Sequence, residues 1–528
     1  MSILTPFAMP RWHPLPAPVS GALPLVSVAS LLLLTLAVYL PFIRSGFAGT
    51  DSLPLIESTR LAGFGDAVRL FTSPVMAGTA FTDGELVYRP FVSLMFGLEH
   101  FVWGYDSVGY HVTNVLLHVF SVALVWTLLR KLGLQWWSST LGASLFALHP
   151  IVVATVPVIA RRDSIVPVAA FVTGAALLLY AQEAHGWRRA ALLAPSVLLV
   201  IVALLSKEST YVAVAMLPVL LVARGLKRGL ALPRAFRAAI WAMPFFALAA
   251  AAFLGRLSVL GTLGGSRSAD PGSLDLYQYG VFAGSFARDL AFPLAGLAPA
   301  THRMWFVATV LALIGLTLLL LWLPRGHAAI AAAGGLWVVG FGVLCAVLKI
   351  LTMGWLAYFA LVGVALLVGA GTEGALQRVG QASASSLRYT VARASRGLLL
   401  LGLLSFGLSS LLASPLFRAY GQWQVAGELT DRYFAALHDC VISATYTDNV
   451  SLQQVPATLN DGRVDTSLLG VTLIEQYTAD SALRLMFPTR QLNVHVGSWA
   501  TFGGELDRLR FSCEHRPNGV ELFAHHDP

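Results

Sequence analysis

The stretch His149–Val172, HPIVVATVPVIARRDSIVPVAAFV, decides the fold. Arg161, Arg162 and Asp163 stand between two apolar runs with almost no polar linker on either side. Two readings are open: a turn at a membrane surface, or the working part of a buried site. The flanking runs, 138–158 and 164–182, each approach the roughly 20 residues that a helix needs to cross a bilayer core. The same holds along the chain, which is 56% hydrophobic and only 12% charged over 528 residues. A soluble domain of this size carries about twice that charged fraction. Leu23–Ile43, Met304–Leu323 and Gly397–Ala413 contain no charge at all. The sequence is therefore that of an all-α polytopic membrane protein, because a chain in lipid must satisfy its backbone internally.

Hydropathy predicts about 11 transmembrane helices: 23–43, 108–129, 138–158, 164–182, 190–206, 208–223, 238–256, 304–323, 328–347, 351–370 and 397–413. The first run is longer than a signal-peptide core and is followed by IRSGFAGTDS rather than a small-residue cleavage site, so it reads as a spanning helix. A cytoplasmic N-terminus puts Arg130/Lys131, Arg188/Arg189, 224–237, 324–327 and 372–396 inside, as the positive-inside rule requires. The net charge of +8 is then topology. No basic patch interleaved with aromatics points to nucleic acid, and the expected partner is the lipid bilayer.

Three segments face outward on this reading: a first loop at 44–107, a second at 257–302, and the tail. The first loop contains PFVSLMFGLEHFVWG, expected to lie at the interface with Trp103 and Tyr105 at headgroup depth. Residues 1–413 form the transmembrane domain and 414–528 a small α+β domain outside the membrane. The tail from Leu416 carries eight Arg, no Lys and thirteen Asp plus Glu. Its YGQWQVAGELTDRYFAALHDCVISA has helical periodicity, while SLLGVTLIEQYT and QLNVHVGSW read as strands. In an exported domain Cys440 and Cys513 either pair or remain two separate buried thiols, and both readings stand. No pair among the three cysteines has metal-ligand spacing.

Ionisable side chains in or beside spans are functional candidates by default. Asp51, just past the first span, suits a general base, or is simply a helix cap. His111, Asn114 and His118 fall at i, i+3 and i+7 on one helix face, which must point into the bundle for hydrogen bonding or substrate contact. Arg161, Arg162 and Lys207 lie on the side where the topology rule does not call for cations. They suit a phosphate through charge-assisted hydrogen bonds, or they pair internally, Asp163 with Lys207 for instance.

Together these blocks resemble a known family. YRPFVSLMFGLEHFVWGYDSVGYHVTNVLLH, LFALHPIVVATVPVIARRDSI and LLSKEST are similar, in order and spacing, to segments of the transmembrane and tetratricopeptide-containing O-mannosyltransferases and their bacterial relatives. The resemblance covers roughly 40–220, more loosely to 413, and includes no tetratricopeptide repeats. It implies a GT-C fold and an inverting glycosyltransferase that uses a polyprenyl-phosphate sugar at the outer face of the membrane; spans rich in Ala, Leu and Gly fit a bacterial source, and so a bacterial inner membrane. It implies Asp51 as catalytic base, Arg161, Arg162 and Lys207 as phosphate ligands, and a pocket from Arg89, His111, Asn114, His118, His149, Asp163 and Glu208. It implies no cofactor and no metal, cations standing in for the latter; the acceptor, protein or glycan, stays open. Departures are the Thr50–Asp51 pair where two acids are common, HPIVVA for HPLHVE, and WLAYFALVG for a segment with arginine and proline. They motivate an alternative: a catalytically degenerate membrane scaffold presenting its exported domain for envelope assembly.

Overall fold

The computed structural model describes residues 21–82, 87–262, 286, 290, 321–347, 354–380, 407–408, 410–412, 414–417, 421–444, 448–459, 473–502 and 509–526. Helix α1 (Leu23–Tyr39) runs into a 3-10 turn at Leu40–Arg44. The first loop then carries α2 (Ser52–Ser58), α3 (Phe64–Leu70) and α4 (Pro90–Trp103). The bundle continues with α5 (Ser107–Lys131), α6 (Trp136–Leu148), α7 (Arg162–Ala181), α8 (Gly186–Leu204) and α9 (Thr210–Lys227). It closes with α10 (Leu232–Ala238), α11 (Met243–Leu260), α12 (Arg325–Val347), α13 (Gly354–Ala357) and α14 (Leu361–Gly380). Among the described residues eight stretches are long and apolar enough to cross a membrane. The expected spans 304–323 and 397–413, and the second loop 257–302, lie largely outside the described residues.

Two expected spans are redrawn. The helix expected over 351–370 is α14, which starts at Leu361 after the short α13. The helix expected over 138–158 stops at Leu148, because Pro150 disfavours helical geometry at His149 and brings no N–H. From there to Arg161 the chain runs in 3-10 turns, Pro150–Ala154 and Ile159–Arg161, wholly buried from His149 to Ala160. Non-helical backbone at this depth needs partners inside the protein. Asn114 supplies two: its Nδ2 donates to the carbonyls of Val156 at 3.3 Å and Val158 at 3.0 Å. The ARRD turn is thus a buried ledge rather than a loop in water.

Helix α4 leaves Phe101, Val102 and Trp103 exposed. At the far end of the bundle a second set of ion pairs ties helix ends together. Lys227 of α9 pairs with Glu373 of α14 at 2.9 Å, and Glu373 also accepts from the Gln135 amide at 2.6 Å. Glu183 meets Arg224 and Arg228 there. These residues belong to the loops that the charge distribution places together.

The C-terminal domain contains α15 (Gln422–Ser443), β1 (Asn449–Gln453), β2 (Val455–Leu459), α16 (Gln476–Met486), β3 (Asn493–Val496), β4 (Trp499–Phe502), β5 (Leu509–Arg516) and β6 (Gly519–His526). Its main sheet has the order β3-β1-β6-β5, with β1 parallel to both neighbours and β5–β6 an antiparallel hairpin. Strands β2 and β4 form a separate parallel pair. The expected strand SLLGVTLIEQYT is corrected at its end: Gln476–Thr478 open helix α16, where the Thr478 hydroxyl accepts from the Glu475 amide. Cys440 of α15 and Cys513 of β5 form a disulfide with Cα atoms 5.5 Å apart. It closes 73 residues of sequence separation, for which chain entropy gives about 4 kcal/mol. Reducing agent, or Cys513→Ser, is expected to lower the unfolding midpoint of this domain while the bundle stays folded. Proteolysis of the tail in the intact membrane protein measures it, and unchanged resistance counts against the disulfide's role.

Candidate active site

The first loop, the ARRD ledge, the α8–α9 connection and helix α16 converge on one face of the bundle. Asp51 stands at the N-cap position of α2 but makes no capping bond. Its Oδ1 instead accepts from the hydroxyls of Thr50 at 3.1 Å and Tyr477 at 3.0 Å. Its Oδ2 lies 3.9 Å from Nη2 of Arg161. Gly49 makes this approach feasible: its φ is +107°, and a Cβ there would meet the Val158 side chain at 2.9 Å.

Arg161 is stacked on Trp355 of α13, with the guanidinium carbon 3.3 Å from the ring centroid. Its Nε is buried with no hydrogen-bond partner, and the side chain is 16% exposed. Beside it the charges alternate. Asp163 accepts from Lys207 Nζ at 3.0 Å and pairs with Arg89. Arg89 also binds Glu208 at 3.1 Å, and Glu208 binds Arg256 of α11 at 2.6 Å. Lys207 donates further to Ser164 Oγ at 2.6 Å. Asp163 with Lys207 is the internal pair anticipated from sequence. Four cations, Arg89, Arg161, Lys207 and Arg256, face three carboxylates, Asp51, Asp163 and Glu208, so the cluster carries net positive charge when all are ionised.

Burial pushes the Lys207 ammonium down to about 8, with Asp163 opposing the shift. For Glu208 burial favours the neutral form, but Arg89 and Arg256 hold its carboxyl below the usual range. Burial works against the Arg89 cation, and Glu208 and Asp163 outweigh it, so Arg89 stays charged. Tyr477 is raised first by burial and then by the Asp51 carboxylate, which keeps the phenol protonated and donating.

The remaining candidates sit apart from this cluster. Arg162 is fully buried and points the other way: Nε donates to Asn114 Oδ1 at 2.8 Å, Nη2 to the Tyr110 carbonyl at 2.9 Å, and Nη1 pairs with Glu99. His111 meets the Gly46 carbonyl at 2.6 Å. His118 bridges the Tyr358 hydroxyl at 2.8 Å and the Ala147 carbonyl at 3.1 Å. The stripe of His111, Asn114 and His118 therefore faces the bundle and binds neighbouring backbone and Tyr358. His149 accepts from the Ile151 amide at 3.3 Å and lies 3.0 Å from the Leu290 carbonyl. It borders an apolar cavity of about 360 Å³ between α6 and α14. Among the described residues no group of three or more His, Cys, Asp or Glu is arranged to hold a metal.

Three members of the cluster were not anticipated. Arg256 had a signal, a lone arginine at the end of an apolar span. Trp355 and Tyr477 had none: Trp355 lies among other aromatics in WLAYF, and Tyr477 stands alone in a stretch that reads as a strand.

No family model matches the chain. Protein O-mannosyl-transferase Tmtc2 of Drosophila melanogaster is 29% identical over 199 residues, 37% of this chain and 21% of that protein. Tmtc1 of the same fly is 27% identical over 128 residues, 24% of this chain and 15% of that protein. The alignments thus span about a fifth or less of those relatives. ArnT from Cupriavidus metallidurans, solved bound to undecaprenyl phosphate, superposes with a TM-score of 0.44 at 12% identity, over 96% of this chain and 98% of that one. The Archaeoglobus fulgidus oligosaccharyltransferase superposes at 0.39 and 12% identity, over 82% and 62%. The chain is a multi-pass, mostly helical membrane protein, similar in sequence over part of its length to the Tmtc O-mannosyltransferases.

Proposed function

We propose that this protein transfers a sugar, with inversion, from a polyprenyl-phosphate carrier to an acceptor hydroxyl at the outer face of a bacterial inner membrane. The N-terminus lies in the cytoplasm and the C-terminal domain outside. One observation carries the reading: a partly exposed carboxylate, Asp51, faces a buried guanidinium, Arg161, whose Nε has no partner. The first is a base without a capping job. The second is a cation whose Nε finds no hydrogen-bond acceptor among the described residues, although Asp51 faces its Nη2.

In the reaction the acceptor O–H proton passes to Asp51 as the oxygen bonds to the anomeric carbon. The bond from that carbon to the carrier phosphate breaks, and its electron pair stays on the phosphate oxygen. Arg161 stabilises that charge in a site of low dielectric, and Lys207 and Arg89, whose donors are held by Asp163, Ser164 and Glu208, add only to the positive field around it. Attack from the face opposite the leaving group inverts the configuration. Arg162 takes no part in the phosphate wall, since its donors are spent on Glu99, Asn114 and Tyr110.

The names of the sequence relatives select mannose as first sugar and a protein hydroxyl as first acceptor, so polyprenyl-phosphate mannose and a Ser/Thr peptide are the first substrates to try. The purified full chain is expected to form an inverted glycoside, read by the anomeric coupling of the product. A retained configuration, or no turnover with any hexose donor, overturns the reading. Arg161→Met is expected to weaken binding of polyprenyl phosphate about tenfold or more, with the protein still folded. Unchanged binding removes Arg161 from the phosphate site.

A further inference from the structure

We propose that Tyr477, from the C-terminal domain, is a positioning residue for Asp51, so that the exported domain completes the site. The proposal rests on the transferase reading above. An aspartate at an N-cap position ordinarily turns its carboxylate onto the free amides of its own helix. Asp51 does not, and its Oδ1 is held by Tyr477 and Thr50 instead. With Oδ1 occupied by two donors, Oδ2 faces Arg161 and is the oxygen left for an acceptor proton.

Helix α16 is built to keep Tyr477 in place. The Tyr477 ring packs on Phe81 of the first loop with centroids 4.9 Å apart. The Thr478 hydroxyl donates to the Thr50 carbonyl at 3.0 Å, fixing the backbone next to Asp51 itself. Arg484, one end of α16, joins Asp480 at 2.9 Å to Glu57 of α2 at 3.8 Å. The domain is seated a second time where α15 crosses the chain at Ser45 and Gly46. There Gly427 lies against Ser45, and a Cβ on Gly46 would meet the Gly427 backbone at 2.9 Å. Docking and catalysis thus meet at one hydroxyl.

Tyr477→Phe tests this, because it keeps the ring against Phe81 and removes only the donor. In the full chain, kcat with polyprenyl-phosphate mannose and a Ser/Thr peptide is expected to fall about tenfold. Acceptor KM and binding of polyprenyl phosphate should stay at wild-type values, a split that simple undocking of the domain would not give. Carbodiimide-driven amine labelling of Asp51, mapped by mass spectrometry, is expected to rise severalfold as the carboxylate is released. Unchanged labelling overturns the proposal whatever the kinetics, and so does raised labelling with unchanged kcat. A wild-type chain inert toward every donor, with Asp51 labelling still responding to Tyr477→Phe, overturns the transferase reading alone.

Discussion

Asp51→Asn is expected to reduce transfer about a thousandfold, the size of a lost general base, and to leave the fold intact. Asparagine has the same shape and keeps an oxygen for the Thr50 and Tyr477 hydroxyls. What it lacks is a lone pair basic enough to take the acceptor proton. The charge lost opposite Arg161 matters little for stability, because the pair is 3.9 Å apart and a quarter of the Asp51 side chain is exposed. Turnover and the thermal midpoint of the purified variant, measured side by side, separate the two effects. Transfer within about tenfold of wild type sinks Asp51 as the base. The scaffold alternative makes the opposite forecast: Asp51→Asn is silent, while deletion of 414–528 gives the full phenotype.

The sequence carried the bundle because lipid leaves it few choices. A charge-free run of twenty residues has one stable form, and α1, α5, α8 and α12 fall where hydropathy puts them. It failed where a tertiary contact overrode a local pattern. The expected span to Val158 ends at Leu148 ahead of Pro150, and the non-helical turn beyond it holds at that depth because Asn114, from another helix, satisfies its carbonyls. In the tail, Val471, Thr472 and Ile474 before Gln476 suggest a strand through Thr478. Helix α16 begins there because Ala479, Ala482 and Leu483 can be buried together on one face. Most of the ionic cluster was legible, since Asp51, Arg89, Arg161, Asp163, Lys207 and Glu208 are each costly near a membrane. Tyr477 was not, because its role depends on a contact across 426 residues of sequence.

The two adjacent arginines of the opening stretch should give opposite phenotypes. Successive residues at a helix start point about 100° apart, and here Arg161 faces Asp51 and Trp355 while Arg162 faces Glu99 and Asn114. Arg162→Met leaves Glu99, which is 14% exposed, without its cation. It also frees the Asn114 oxygen and the Tyr110 carbonyl in a buried site. Breaking one partner out of such a pair costs about 3–5 kcal/mol. The folded yield and thermal midpoint of Arg162→Met should therefore drop, and transfer with them. Adding Glu99→Leu should recover part of the loss, because an apolar pair avoids the stranded charge. Arg161→Met should do the reverse, keeping the midpoint near wild type while carrier binding weakens. Arg162→Met that folds like wild type and loses only carrier binding would return Arg162 to the phosphate wall. The stability of that single variant decides whether the ledge is built by Arg162 and used by Arg161, as the geometry has it.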